Sequence, residues 1–247
     1  MKVSVITVCY NSESTLEDTI KSVISQDYTN IEYIIIDGGS SDNTPAILNA
    51  YKNNIAKLVS EKDEGMAFAI NKGISMATGD VIAILNSDDF YADSTIISKV
   101  LEAFEKGNCD SVYCDLQYVD RDDTKKVKRN WIAGAYTDGL FFKGWMPPHP
   151  AFFIRKSCYE KFGVFNTTLR SAADYELMLR MLHVKKISTF YLPILAVKMR
   201  DGGKSNVSIA NRIKANREDL KAWEINNIRP KLFTLIRKPL SKLKQFF

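Results

Sequence analysis

Along the first hundred residues the apolar positions alternate between two periods. Val3–Val8 is a β-branched run that reads as a buried strand. Ser14-Thr15-Leu16-Glu17 has the spacing of a capping box and opens a helix with Leu16, Ile20, Val23 and Ile24 on one face. Glu32–Ile36 is a continuous apolar strand, and Thr44-Pro45 starts the next helix, with Thr44 as N-cap and Pro45 at N1. A short strand over Lys57–Ser60 precedes a helix over 65–77, and Asp80–Leu85 is again a buried strand. Asp93 caps a helix carrying Ile96, Ile97, Val100, Leu101 and Phe104, and Ser111–Cys114 is a further strand. Strands alternating with helices over short connections imply parallel strands with crossover helices. Strands apolar on both faces imply a sheet covered on both sides. The expectation for 1–115 is an α/β doubly wound, mostly parallel sheet flanked by helices.

The pattern then changes. Tyr118–Trp131 is charged and strand-like, a hairpin with Arg121-Asp122-Asp123 at its tip. Ala151–Ile154 and Ile187–Tyr191 read as strands, Lys156–Phe162 and Asp174–Val184 as helices, and a long helix covers 208–226. No Gly/Ser-rich linker separates the halves, so 1–228 reads as one domain with a specialised second half over 116–228.

Composition narrows the class. Hydrophobic residues make up 45% and charged residues 26% of 247, which excludes disorder, collagen and coiled coil. No run of about eighteen apolar residues is present. The apolar N-terminal stretch is short, β-branched and followed by Asn11-Ser12-Glu13, which favours a strand over a signal peptide. Cys9, Cys109, Cys114 and Cys158 lack metal-ligand spacing and read as free thiols in a reducing cytoplasm. Asn166 and Asn206 begin sequons that carry no meaning without a secretory signal.

The net charge of +5 is unevenly distributed. Residues 229–247 hold six basic side chains and no acidic one, leaving 28 basic against 29 acidic residues, a net −1, in 1–228. Leu232, Ile236, Leu240, Leu243 and Phe247 recur in that tail at helical spacing, with Pro239 kinking or splitting the helix. A basic amphipathic end reads as an anchor on an anionic membrane surface, with docking on the domain or a second subunit as the alternative. Nothing in the charge pattern points to nucleic acid.

The strand ends carry the candidate chemistry. Ile36 runs into Asp37-Gly38-Gly39-Ser40-Ser41-Asp42, the third strand into Asp63-Glu64-Gly65, and Leu85 into Asn86-Ser87-Asp88-Asp89. In a parallel sheet these turns share the edge where ligands bind. Each alone is ordinary turn chemistry; three together suit a polar ligand or a cation. No Gly-x-Gly-x-x-Gly follows a strand and no Gly-x-Ser-x-Gly elbow occurs. Gly202-Gly203-Lys204-Ser205 reads as a mobile loop, suited to a lid over a bound ligand. Alternation along Asn86-Ser87-Asp88-Asp89 puts Asn86 and Asp88 on one side and points Asp89 back. One carboxylate and one amide oxygen suit Mg²⁺ or Mn²⁺ that is also held by substrate phosphates.

These residues resemble the family 2 glycosyltransferases of GT-A fold. The likeness runs in order to about residue 210: Val5–Asn11, Ser22–Gln26, Ile36–Thr44, Asp63-Glu64-Gly65, Asn71–Ile74, Ala77–Asp80, Leu85–Asp89, His149–Phe153 and Ala173–Arg180. The resemblance implies an inverting transfer of sugar from a nucleotide-sugar donor to a hydroxyl acceptor, in polysaccharide synthesis and on a lipid-linked or polysaccharide precursor. It makes 1–115 the nucleotide-binding half and 116–228 the acceptor half. By position it implies that Val8, Tyr10 and Asp37 hold base and ribose with Asp63 nearby, that Asn71 and Lys72 belong to the donor side, and that Asp88, with Asn86 beside it, anchors Mg²⁺ or Mn²⁺. It implies that Asp174 is the catalytic base. The helix start at Asp174 also fits a plain N-cap. His149 is read either as a substrate contact or as structural, and Trp145 and Met146 either as acceptor lining or as core. Asn86 stands where the family usually has Asp, Ile70 where it often has Arg, and Ala173 where a Glu is common. The competing enzyme, a nucleotidyltransferase, would want a glycine-rich basic loop after the first strand, where Cys9–Glu13 stands instead. A non-catalytic binding module is the other alternative. A lipid-linked acceptor agrees with a chain peripheral on the inner face of the membrane.

Overall fold

The computed structural model describes residues 1–202 and 209–230. The expected lid residues 203–205 and all but two residues of the basic tail 229–247 lie outside the described residues. Among the described residues no helix is long and apolar enough to cross a membrane.

Strands β1 (Val3–Cys9), β2 (Ile31–Asp37), β3 (Lys57–Ser60) and β4 (Val81–Ile84) form a parallel set in the order β3-β2-β1-β4. Helices α1 (Leu16–Ile24), α2 (Thr44–Ala50) and α3 (Met66–Met76) make the crossovers. Val5, Ile6, Ile34, Ile35, Ile36, Val81 and Ile82 are all fully or almost fully buried, as strands covered on both faces require. After the short β5 (Asp89–Tyr91) and α4 (Ile96–Gly107), the sheet continues through β6 (Ser111–Val119), β7 (Val127–Trp131), β8 (Phe152–Arg155) and β9 (Thr189–Arg200). The full path is β3-β2-β1-β4-β8-β6-β9-β5, with β7 on β6. β8 is antiparallel to both β4 and β6, so β6 and β9 run in the direction of the first four strands and only β5, β7 and β8 are reversed. Helices α5 (Lys156–Phe162), α6 (Ala173–Met178) and α7 (Ile209–Ile225) complete the second half.

Several element ends differ from expectation for physical reasons. The Ser14 capping box does not form: α1 begins at Leu16 with Thr15 at its N-cap and no side-chain cap bond. Asn43 rather than Thr44 is the N-cap of α2, because the Thr44 hydroxyl accepts the Ser12 N–H at 2.9 Å instead. Asp93 sits two residues before the N-cap of α4 and accepts from the Thr95 N–H at 2.7 Å. The helix expected over 174–184 is α6 followed by a π-turn over Leu179–Val184. The strand expected to end at Tyr191 continues to Arg200: the register slips between Tyr113↔Tyr191 and Asp115↔Leu195, and exposed Pro193 falls in that irregularity. β5 was not anticipated, since Asp89 read as turn chemistry.

One buried carboxylate ties the back of the parallel set together. Glu32 accepts from Ser4 Oγ at 2.6 Å, Thr78 N at 2.7 Å and Thr78 Oγ1 at 2.9 Å. Lys2 and Lys57 Nζ lie 3.2 and 3.1 Å away. The Gly79 N–H completes the cluster on Ser4 Oγ at 2.9 Å, and a Cβ on Gly79 would stand 2.6 Å from Ser4 N. Burial pushes the Glu32 carboxyl up, but the hydrogen bonds from Ser4, Thr78 and Lys57 outweigh it and hold the group well below the usual carboxylate range. A depressed carboxylate stabilises the fold above its unfolded pKa of about 4.3 and loses that contribution as pH falls toward its folded value. Between about pH 5 and pH 3, the melting temperature of the wild type is therefore expected to fall more steeply than that of Glu32→Gln. Parallel pH profiles would show that Glu32 carries no such linkage.

Candidate active site

The site begins with strand register. Cys9 pairs with Asp37, Asp37 with Ser60, and Ile6 with Ile84, so the turns after four strands open on one edge. Val8 is buried within β1, and Tyr10, two residues on, is 52% exposed. The turns after β1 and β2 are joined by Asn11, whose N–H donates to Ser40 Oγ at 2.8 Å and whose Oδ1 accepts the Ser41 N–H at 2.9 Å. Asn11 adopts φ +50° to do so. Asp37 is wholly buried. It accepts from Ser40 Oγ at 2.5 Å and Ser60 Oγ at 2.6 Å, and from the Ser40 N–H at 3.2 Å. Its carboxylate thus organises the turn after β2, beside which Tyr10 stands on the turn after β1. Burial, then the neighbouring Asp37, pushes the Cys9 thiol up.

Beyond β3, Lys72 on α3 places Nζ 2.6 Å from Asp63 Oδ1 and 2.6 Å from Glu61 Oε1. Hydrogen bonds to Asp63 and Glu61 push the ammonium up, so it stays charged beyond its ordinary range. The other Asp63 oxygen, Oδ2, is buried with no partner among the described residues. A buried acceptor in that condition is costly unless a donor arrives. Asn71 faces elsewhere: Nδ2 donates to Phe165 O at 2.8 Å and Oδ1 accepts the Phe165 N–H at 2.9 Å. It holds the chain between α5 and α6 against α3.

After β4, the Ser87 and Ser12 hydroxyls meet at 2.9 Å. Asp89 is fully buried at the start of β5. Its Oδ2 accepts Asn86 Nδ2 at 3.0 Å while Oδ1 has no partner among the described residues. Burial, and then the charge of Asp88, push the Asp89 carboxyl well up. Arg200, the last residue of β9 and 4% exposed, donates Nη1 to the Asp88 carbonyl at 3.0 Å and pairs through Nη2 with Asp18. Its guanidinium carbon lies 4.9 Å from the Phe90 ring centre. Arg200 went unnoticed in the sequence because its partners lie 112 and 182 residues away.

The residues here fit a divalent cation of the hard, oxygen-binding kind. The Asp88 carboxylate has no hydrogen-bond or ion-pair partner among the described residues, and Asn86 is held through its nitrogen, leaving its amide oxygen as a second donor. No cluster of three or more acidic, His or Cys ligands exists among the described residues. So few protein donors suit Mg²⁺ or Mn²⁺ whose remaining ligands are phosphate oxygens and water.

The second half meets this loop through His149. Its Nδ1 is 3.1 Å from Asp174 Oδ2 and its Nε2 is 3.5 Å from Asn86 Nδ2. Asn86 Nδ2 is oriented as a donor by Asp89, so the geometry matches His149 Nδ1–H donating to Asp174 and Nε2 accepting from Asn86. The His149 and Asp174 side chains are 30% and 28% exposed. Asp174 Oδ1 takes no hydrogen bond among the described residues. The β6–β7 hairpin adds residues unforeseen in the sequence: the Arg129 guanidinium lies 3.9 Å over the Tyr118 ring, and Trp131 stacks on Tyr118. Burial pushes the Tyr118 phenol up, Arg129 opposes it, and the charges of Asp89 and Asp174 add to the rise. Trp145 and Met146 prove to be packing. The Trp145 indole donates to Ala133 O at 2.7 Å among Tyr113, Tyr136 and Phe141, and Met146 is buried.

The sequence profile described as Glycosyl transferase family 2 matches residues 4–170. A curated relative from Mycobacterium tuberculosis, named an uncharacterized glycosyltransferase, is 33% identical over 187 residues, spanning 72% of this chain and 68% of its own. A PGL/p-HBAD biosynthesis glycosyltransferase from Mycobacterium bovis is 26% identical over 211 residues, 83% of this chain and 80% of its own. Among solved structures, residues 1–349 of S. aureus TarS in complex with UDP-GlcNAc match with TM-score 0.70 at 15% identity over 96% of this chain and 69% of that one. A mannosyltransferase from Pyrobaculum calidifontis in complex with GDP-Man and Mn²⁺ matches with TM-score 0.67 at 20% identity, over 98% and 69%. The chain spans 43% of the longer TarS chain. These superpositions show the GT-A fold.

The ion pair of Lys72 with largely buried Asp63 differs in kind from the exposed Lys21–Glu17 pair of α1. Lys72→Met is expected to lower stability by about 3 kcal/mol, because it strands a buried carboxylate. Lys21→Met, at a solvent-screened surface pair, is expected to leave stability almost unchanged. Equal losses in denaturant melts would show that Asp63 is solvated.

Proposed function

This chain belongs to glycosyl transferase family 2, and on that premise we propose that it moves a sugar from a nucleotide-sugar donor to a hydroxyl acceptor with inversion at the anomeric carbon. That it is a glycosyltransferase follows from the family. The finer reading rests on one observation above the others: His149 holds one oxygen of Asp174 while Oδ1 takes no hydrogen bond among the described residues, beside the loop that carries Asp88.

In this reading the exposed Tyr10 ring carries the nucleotide base, Val8 and the Asp37 turn support it beside the ribose, and the unpartnered Asp63 Oδ2 receives a base N–H. Lys72 holds Asp63 in place through its other oxygen. Asp88, with the amide oxygen of Asn86, would hold Mg²⁺ or Mn²⁺ on the diphosphate. When bound, the cation would offset charge on the departing nucleoside diphosphate. Asp174 Oδ1 takes the proton from the acceptor hydroxyl as its oxygen forms the bond to the anomeric carbon. The bond from that carbon to the diphosphate oxygen breaks on the opposite face, and its electron pair leaves with the nucleotide. One base on the face opposite the leaving group is what a single inverting displacement needs. The Nδ1–H of His149 orients the carboxylate for that transfer. Binding of UDP, UDP-GlcNAc, GDP-Man and Mn²⁺ by the structural neighbours supports a nucleotide-sugar donor and a divalent cation. The relative named for PGL/p-HBAD biosynthesis supports a biosynthetic role, which we read as transfer to a lipid-linked or polysaccharide precursor. Such an acceptor would suit a chain held to the inner, anionic face of the membrane by residues 229–247.

A thermal-shift screen of UDP, GDP, dTDP and CMP with Mg²⁺ or Mn²⁺ identifies the donor class by the nucleotide that raises the melting temperature. A screen in which none does would contradict the donor reading. Asp174→Asn is expected to keep nucleotide affinity and lower turnover about 10²–10⁴-fold; wild-type turnover would remove Asp174 as the base. Asp88→Ala is expected to abolish the metal-dependent part of nucleotide affinity in calorimetry with and without Mn²⁺. An unchanged metal dependence would place the cation elsewhere.

A further inference from the structure

The match to the family profile ends at residue 170, four residues before Asp174. The turn that follows has an unusual anchor. The backbone N–H groups of Arg170, Ser171 and Ala172 all converge on a single oxygen, Oε2 of Glu218, at 3.0, 2.6 and 3.2 Å. Glu218 lies on α7, 46 residues beyond Ala172. Three successive N–H groups around one carboxylate oxygen form an anion nest, and each bond is charge-assisted. Ala172 is the N-cap of α6 and carries no side-chain acceptor, so the turn entering α6 takes its oxygen from another helix. The rest of α7 docks independently of this contact. Trp223 Nε1 donates to Tyr175 Oη at 3.0 Å, and Asn226 Nδ2 to buried Glu176 Oε1 at 3.0 Å.

We propose that Glu218 is a positioning residue for Asp174: by fixing the three residues before α6 it sets where the Asp174 carboxylate stands against His149. The inference rests on the reading of Asp174 as the base. α6 has only six residues, so a shift of its first turn moves Asp174 directly. His149 restrains Asp174 at the side chain and Glu218 restrains it at the backbone. A misplacement of about 1 Å at a reacting group costs on the order of a hundredfold in rate.

The protein contains two histidines, His149 and His183, and they report on different things. His149 contacts Asp174 at 3.1 Å. The His183 ring packs 6.0 Å from the Trp223 ring of α7. In proton NMR at fixed pH, Glu218→Ala is expected to move the His149 ring resonances and leave those of His183 in place, and Glu218→Gln, which keeps an acceptor oxygen, to restore most of the wild-type position. Glu218→Asp, which keeps the charge but shortens the reach, gives a smaller shift of the same kind and serves if Glu218→Ala does not fold. In an Asp174→Ala background, which lacks the side chain that passes the displacement to His149, the Glu218 substitution is expected to add nothing at His149. Movement of both histidines would mean that α7 has come away and that Glu218 is merely a docking contact. An unmoved His149, or an added shift in the Asp174→Ala background, would equally overturn the proposal. Nucleotide release from UDP-glucose, UDP-N-acetylglucosamine or GDP-mannose with Mn²⁺, water standing in for the acceptor, is expected to fall about ten- to a hundredfold in kcat at unchanged donor KM. Turnover of Asp174→Asn judges the base reading; the histidine resonances judge the role of Glu218.

Discussion

The constraint from which the site follows is the register of four parallel strands. Parallel pairing of β1 with β2 and β4, and of β2 with β3, brings the residues after Cys9, Asp37, Ser60 and Ile84 to one edge. A slip of one residue in any pair would turn buried side chains such as Ile34 and Ile36 to the opposite face. Because both faces are covered, the apolar contacts fix that register strongly. The polar turns inherit their positions from the core without having to define them. At the opposite end, the Glu32 cluster ties β1, β2, β3 and the turn into β4 by side-chain hydrogen bonds and ion pairs.

The second half meets this frame through several polar contacts, and two of them fall at the chemistry. β8 enters antiparallel beside β4, and the short turn before it carries His149 to Asn86 and Asp174. β9 ends at Arg200, which reaches the carbonyl of Asp88. The loop of the candidate cation site is thus held by its own Asn86–Asp89 contact and by a guanidinium from the far end of the sheet. A cationic side chain bonded to a backbone oxygen fixes the loop while leaving the Asp88 carboxylate without a cationic partner among the described residues.

What was legible in the residues was what local periodicity encodes. Continuous β-branched runs identify β1, β2 and β4, and the spacing of Ile96, Ile97, Val100 and Leu101 identifies α4. The turn after a buried strand was enough to single out Asn86 and Asp88, whereas His149 and Asp174 were singled out through the resemblance to the family. What stayed hidden depends on partners distant in sequence. Pro193 masks the continuity of β9, because the irregularity that accommodates it exists only in the pairing with β6. Thr44 looks like a cap until the Ser12 N–H claims its hydroxyl. Asp37, suspected as a ribose contact, is enclosed by Ser40 and Ser60, and Asn71 by the backbone of Phe165. Arg129 and Tyr118 read only as a charged hairpin until the sheet places them near Asp89 and Asp174.

The four cysteines have a practical consequence. All are buried, and burial pushes every one of their thiols up, Cys158 to about 11. Thiol reagents react with the thiolate, so the native chain is nearly silent toward maleimide dyes at neutral pH. A cysteine placed on the exposed hairpin tip near Arg121 would label selectively in the unaltered background, and a pair of such sites would allow fluorescence distance measurements without first stripping out the four buried thiols.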